Sequence, residues 1–285
     1  MKEQTTVLVI FNKIQFWLLG ITAGLITIHL TLTSRAKDSS LLGTSALFWI
    51  AVFYLIWQKR DELNLESRIF SSLWGLAIVA FILLKSTSVS GYDPFLRFFP
   101  LISCLGVALL ASGFKGLKQY WRELLILCFL VPSPGALSLL FDLSTITAKF
   151  ATALLWYTGF EVHRQGVYIY LPNGGIEVYP GCSGIETLLH LLGLAVIFLL
   201  SFSTTWREKF LLPIVASSIA FIVNGVRVAI LAILAASAKP QALEYWHKGE
   251  GSLIFSMIAV AILGLFCFVL LRQGEDEHDS VELES

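Results

Sequence analysis

The chain has 285 residues, 56% of them hydrophobic and 14% charged, with 20 basic against 20 acidic side chains and a mean hydropathy of +0.77. Windows of roughly 20 apolar residues, the length a spanning helix needs, take up most of it, which leaves no room for a sizeable soluble domain. A net charge of zero gives no basic surface for nucleic acid and no acidic excess for basic partners.

The expected fold is an all-α polytopic membrane protein of about eight transmembrane helices, with a short extracytoplasmic β-hairpin before the sixth. In chain order the spans are expected over residues 14–33, 41–57, 69–84, 95–112, 123–141, 185–203, 210–236 and 252–271. The first is too long for a signal-peptide core and lacks a small-residue cleavage site, so it reads as a retained span. Pro132 and Pro134 remove backbone donors and predict a kink or break in the fifth. Residues 1–271 are expected to form one membrane domain. Residues 272–285, acidic and almost without apolar side chains, are expected to be a solvated, disordered tail.

Lys and Arg in short loops favour the cytoplasmic side. With the amino terminus inside, 11 of them fall on the inner side and 8 on the outer, while Arg227 lies within a span. Both termini are therefore expected in the cytoplasm.

Between the fifth and sixth spans, residues 143–160 carry Thr145, Thr147, Lys149 and Thr152 among apolar residues, the pattern of a helix lying along the outer surface. Next, G-V-Y-I-Y-L (166–171) and I-E-V-Y (176–179) flank P-N-G-G, a hairpin signal. The hairpin leads into E-V-Y-P-G-C-S-G-I-E-T, residues 177–187, which sets the thiol of Cys182 where the chain enters the membrane.

The other cysteines, Cys104, Cys128 and Cys267, lie in or beside spans and read as small buried apolar residues. With no C-x-x-C arrangement, no zinc site or disulfide framework is expected, nor any other metal or cofactor.

Arg227 stands deep in the seventh span, where a cation costs about 2.5 to 3.5 kcal/mol on insertion scales and so has a partner or a task. Its structural reading is a buried pairing with Asn224, one turn earlier. At about 1.5 Å per residue it lies about 25 Å from the inner end of its helix, in the outer half. His247 precedes the last span, also on the outer side. Alone it would read as an interfacial histidine beside the aromatic anchors Tyr245 and Trp246. Together Cys182, Arg227 and His247 converge on one face.

The chemistry that suits this trio is acyl transfer. A Cys182 thiolate attacks a carbonyl, His247 activates the thiol and moves the proton, and Arg227 offers fixed positive charge to the thiolate or oxyanion. Gly181 and Gly184 would allow close backbone approach and amide donation, and the free amides at the start of the sixth helix favour the same negative charges. Among competing groups, Ser183 has no activation advantage over the adjacent thiol; with Glu186 three residues on it fits a capping box. His190, about two turns below Cys182, is the rival base, while His163 and His29 have weaker claims.

The motifs C-S-G-I (182–185), N-G-V-R-V (224–228) and H-K-G-E-G-S-L-I-F (247–255) resemble the exosortase and archaeosortase family of integral-membrane cysteine transpeptidases. The likeness is clearest over residues 166–268, and the first five spans match as a hydropathy pattern. The hairpin and the Y-P-G lead-in are most similar to the cyanobacterial branch, the cyanoexosortases. The resemblance implies a membrane enzyme that processes exported proteins bearing a carboxy-terminal Pro-Glu-Pro type signal: a recognition motif, one transmembrane helix and a basic end. It implies Cys182 as nucleophile with Arg227 and His247 completing the site, and Gly181, Ser183, Gly184, Asn224 and Gly251 as supporting residues. A water-filled cleft would be needed, since an ionised thiol is intolerable in dry lipid. Two other classes fit the composition: a transporter in which Arg227 binds an anionic solute, which lacks any inverted repeat, and a non-catalytic factor that docks sorting-signal helices.

Overall fold

The computed structural model describes residues 14–247 and 251–284. The chain divides into two compact units, Met1–Ser133 and Pro134–Ser285. Of the charges used to orient it, Lys2, Lys13 and Lys248 lie outside the described residues.

The first unit is helical: α1 (Ile14–Arg35), α2 (Ser39–Gln58), α3 (Ile69–Ser88), α4 (Phe95–Gly116), a 3₁₀ turn (Leu117–Tyr120) and α5 (Trp121–Cys128). Asp38 caps α2 by accepting a bond from the Leu41 amide. Glycines let α3 and α4 approach backbone to backbone: a Cβ on Gly75 would lie 2.8 Å from the Gly106 carbonyl oxygen, and one on Gly106 would lie 2.9 Å from Ile78. His29 is fully buried and satisfied. Trp49 Nε1 donates to its Nδ1 at 3.3 Å, its Nε2 lies 3.0 Å from the Leu96 carbonyl, and Phe99 stacks on the ring at 5.1 Å. These contacts account for it structurally.

The fifth expected span is not one helix. After α5 the chain turns through 129–133, and only the five-residue α6 (Pro134–Ser138) follows, as expected where two prolines withhold donors. Six helices among the described residues are long and apolar enough to cross a membrane, and Ile185–Ser201 is a shorter apolar one. At the start of α5, Glu123 is fully buried; Lys59, just past the end of α2, donates to its Oε2 at 2.9 Å and also to the Gln119 carbonyl, while Glu123 Oε1 has no partner. Removing one side of a buried ion pair costs about 3–5 kcal/mol. Lys59→Met is therefore expected to lower thermal stability in detergent markedly, with recovery in Lys59→Met/Glu123→Leu. A single variant as stable as the wild type would deny the pair that role.

The second unit contains α6, α7 (Ser144–Tyr157), β1 (His163–Gln165), β2 (Tyr168–Leu171), β3 (Gly174–Glu177), a 3₁₀ turn (Pro180–Cys182), α8 (Ile185–Ser201), α9 (Trp206–Ala236), α10 (Pro240–His247) and α11 (Gly251–Glu284). The expected hairpin forms, with Tyr168 opposite Glu177 and Leu171 opposite Gly174, so that Pro172 and Asn173 make the turn. A further strand, β1, pairs antiparallel with β2 across a tight turn in which Gly166 takes a left-handed φ of 62°. α7, at 14 residues or about 21 Å, is too short to span.

α9 is the pillar of this unit. Thr205 and Glu208 close a full capping box at its start, and α7, α8, α10, α11 and the sheet all pack against it. Small residues permit this: Ala148 and Ala151 of α7 and Ala229 and Ala232 of α9 are buried with Ile169, Val178 and Val228 in one core. The last helix runs past its expected end at Leu271 to Glu284, and its spanning portion ends at Arg272. The backbone of the acidic segment is thus helical where a disordered tail was expected; glutamates are good helix formers and no proline interrupts them.

Candidate active site

The segment 178–185 leaves the sheet through Val178, which is fully buried, and tightens into a 3₁₀ turn because Pro180 fixes its own φ at the turn's first position. The Cys182 amide donates to the Tyr179 carbonyl at 2.8 Å and the Ser183 amide to the Pro180 carbonyl at 3.3 Å. Those two amides are therefore spent inside the turn. Gly184 follows with φ 92° and ψ 1°, a left-handed conformation that redirects the chain into α8.

No capping box forms at Ser183. The αL residue Gly184 occupies the N-cap position, and the Ser183 hydroxyl turns back to donate to the Pro180 carbonyl at 2.7 Å. Two neighbouring helices hold the turn by its carbonyls: Thr147 of α7 donates to Ser183 O at 2.9 Å, and Asn224 Nδ2 of α9 donates to Cys182 O at 3.0 Å. Asn224 thus serves the thiol's own peptide rather than Arg227. A Cβ on Gly184 would lie 2.7 Å from Asn224 Nδ2. Gly184→Ala is accordingly expected to destabilise the protein by about 2 kcal/mol, from αL strain and the displaced amide, read as a lower unfolding midpoint in detergent. An unchanged midpoint would mean the turn tolerates another backbone path.

The structure brings Cys182, His247 and Arg227 together. Cys182 is 6% exposed, and its Sγ lies 3.0 Å from His247 Nε2. His247 ends α10, where Arg227 of α9 donates from Nη2 to the His247 carbonyl at 2.8 Å. Such a cation at a helix carboxy terminus meets an unsatisfied carbonyl and the negative end of the helix dipole. Arg227 Nε is buried and has no hydrogen-bond partner, a donor left available inside the protein. Gly251 begins α11 against the α10 aromatics: a Cβ there would lie 2.8 Å from Tyr245 and 2.9 Å from Trp246.

One residue escaped sequence reasoning. Tyr179 places its hydroxyl 3.0 Å from the same His247 Nε2, bonds to Cys182 as well, and sets its ring at 87° to the imidazole. Burial, then the bond to Cys182, pushes its phenol up to about 12, against the nearby Arg227 charge, which lowers it. Its signal was available: a hydroxyl three residues before a thiol shares a face with it in a 3₁₀ turn. Gly181 leaves room for that ring, since a Cβ would lie 2.6 Å from Tyr179 Cε2.

His163 stacks on Tyr170 in the sheet at 5.0 Å, and His190 is half-buried on α8 and engaged with neighbours. Cys128, expected to be buried, is exposed where α5 ends, while Cys104 and Cys267 are partly buried; all are free thiols. A cavity of about 930 Å³ in the first unit, lined by Ser67, Ser71 and Gly113 among others, contains none of the site residues.

A thiol in contact with an imidazole whose helix end is held by an arginine is equipped for nucleophilic attack at a carbonyl. Comparison with known proteins gives the family: the model described as "Transmembrane exosortase (Exosortase_EpsH)" matches residues 36–264, reaching well ahead of the motif-bearing half. Neither the curated proteins nor the solved structures include one that matches the chain.

Proposed function

Since this chain belongs to the transmembrane exosortase family, we propose that it is a membrane-embedded cysteine protease or transpeptidase that removes a carboxy-terminal sorting signal from exported proteins. The observation that carries the reading is the 3.0 Å contact between Cys182 Sγ and His247 Nε2. Its substrates end in a recognition motif, a transmembrane helix and a basic tail; the helix lies in the lipid alongside the spans, so that the motif reaches the thiol. The protein sits in the plasma membrane, the inner membrane of a cell with two, with both termini cytoplasmic and the site at the extracytoplasmic face.

In the first half-reaction His247 takes the thiol proton and the Cys182 thiolate attacks the scissile carbonyl carbon. A C–S bond forms, and the C–N bond breaks as the imidazolium returns its proton to the departing amine. The Arg227 guanidinium supports the negative charge, first on sulfur and then on the carbonyl oxygen. In the second half an acceptor amine or water attacks the thioester. The new C–N or C–O bond forms, the C–S bond breaks, and the proton lost by the acceptor passes through His247 to the departing Cys182 sulfur, restoring the thiol.

The test is co-expression with a tagged exported protein carrying such a signal. The expected result is shortening of the tagged protein and a hydroxylamine-labile conjugate that maps to Cys182. A substrate that is bound but never shortened, equally by wild type and by Cys182→Ala, would replace this reading with a docking factor.

A further inference from the structure

Resting on the acyl-transfer reading above, we propose that Tyr179 is a further catalytic residue: its hydroxyl is the second hydrogen-bond donor to the Cys182 thiolate, beside the His247 imidazolium. Three polar atoms meet here, with Sγ and the Tyr179 oxygen each 3.0 Å from His247 Nε2. That nitrogen has one position for a proton or a lone pair, so it serves one of the two at a time.

This geometry favours the charged state of the pair. With neutral thiol and neutral imidazole, the S–H takes the single Nε2 lone pair and the phenol O–H is left with a neutral sulfur, a weak acceptor. Once the thiol proton moves to Nε2, both Nε2–H and the phenol O–H face an anion that has room for both. The phenol loses no proton in this step. It remains a donor across the physiological range, because burial and the bond to Cys182 hold its proton on.

A tyrosine placed only as an interfacial anchor would turn its hydroxyl to water. Here the residue is 41% exposed, yet its hydroxyl is turned to His247 Nε2 at 3.0 Å. Three features hold it so: the 3₁₀ turn that joins Tyr179 O to the Cys182 amide, the edge-to-face contact with His247 at 5.8 Å, and the space above Gly181. Beside the sulfur stands His247 from α10, the Arg227 charge from α9 acts on the phenol, and the first turn of α8 carries Glu186.

The test uses the full-length protein and no substrate. Iodoacetamide alkylation of the Cys182 peptide, followed by mass spectrometry across the pH range in which a thiol titrates, reports its thiolate fraction. A hydrogen bond to a charged group is worth enough to move that midpoint by about one pH unit. Tyr179→Phe is expected to shift it upward by about that much, and Gly181→Ala, which crowds the ring away, to shift it in the same direction. The exposed Cys128 should alkylate as in the wild type in both, which excludes general unfolding. A Tyr179→Phe midpoint equal to the wild type overturns the proposal, whatever the effect on processing. Because no substrate is involved, the outcome is separable: an unmoved midpoint with an inactive Cys182→Ala removes only the role of Tyr179. Normal processing by Cys182→Ala would remove the acyl-transfer reading itself.

Discussion

The Cys182→Ala protein should insert, accumulate and bind its substrate, yet leave it unprocessed, with a loss on the order of 10⁶-fold, the scale seen when a triad nucleophile is deleted. Truncation at this position removes one sulfur from a turn held by backbone bonds at Pro180 and by Thr147 and Asn224. None of those contacts uses the thiol, so the fold has little reason to respond. Cys128→Ala, altering an exposed thiol in the other unit, serves as the control and should retain full activity. Full processing by Cys182→Ala would end the thiol mechanism and bring the Arg227-dependent transport reading forward.

His247→Ala should approach the same loss, because without the imidazole no positioned group carries the proton away from the thiol and back to the leaving amine. Arg227→Ala is expected to be milder, about 10²- to 10³-fold, as for the loss of one group that stabilises developing charge. Its removal also frees the His247 carbonyl, since Nη2 is the group that holds it. Arg227→Lys separates these roles. It keeps a charge but not the planar fork that reaches the carbonyl, so an activity between those of wild type and alanine is expected. Single-turnover processing rates would measure both, and an Arg227→Ala protein with wild-type turnover would deny the guanidinium any part in the chemistry.

Much of the site was legible because the membrane restricts where polar groups can be. An arginine within a span and a histidine at a helix end have few addresses, and both proved to lie with Cys182. Other features depended on detail that spacing does not carry. S-G-I-E has the letters of a capping box, but Gly184 takes the cap position, and the Ser183 oxygen accepts from the Ile185 amide at 3.5 Å while its O–H donates to the Pro180 carbonyl. Asn224 lies one turn from Arg227, which suggests a pair, but its amide nitrogen donates instead to the carbonyl of Cys182, distant in sequence. Tyr179 was hidden by its type, since tyrosines at a membrane surface are ordinarily anchors. In the fold, β-formers on both sides of P-N-G-G announce β2 and β3, whereas H-R-Q gives β1 no such signal. Hydropathy marks 123–141 as a span, and the break that its prolines predict is where the helix ends.

The position of α9 between its neighbours bears on how the protein is made. Chain order is thiol, then the helix that carries Asn224 and Arg227, then the imidazole, and synthesis follows that order. Cys182 is released from the ribosome with no base beside it, and α9 arrives before the histidine it will hold. On the acyl-transfer reading the thiol would gain its base only when α10 docks onto α9, so a chain truncated after α9 would carry the thiol without that partner.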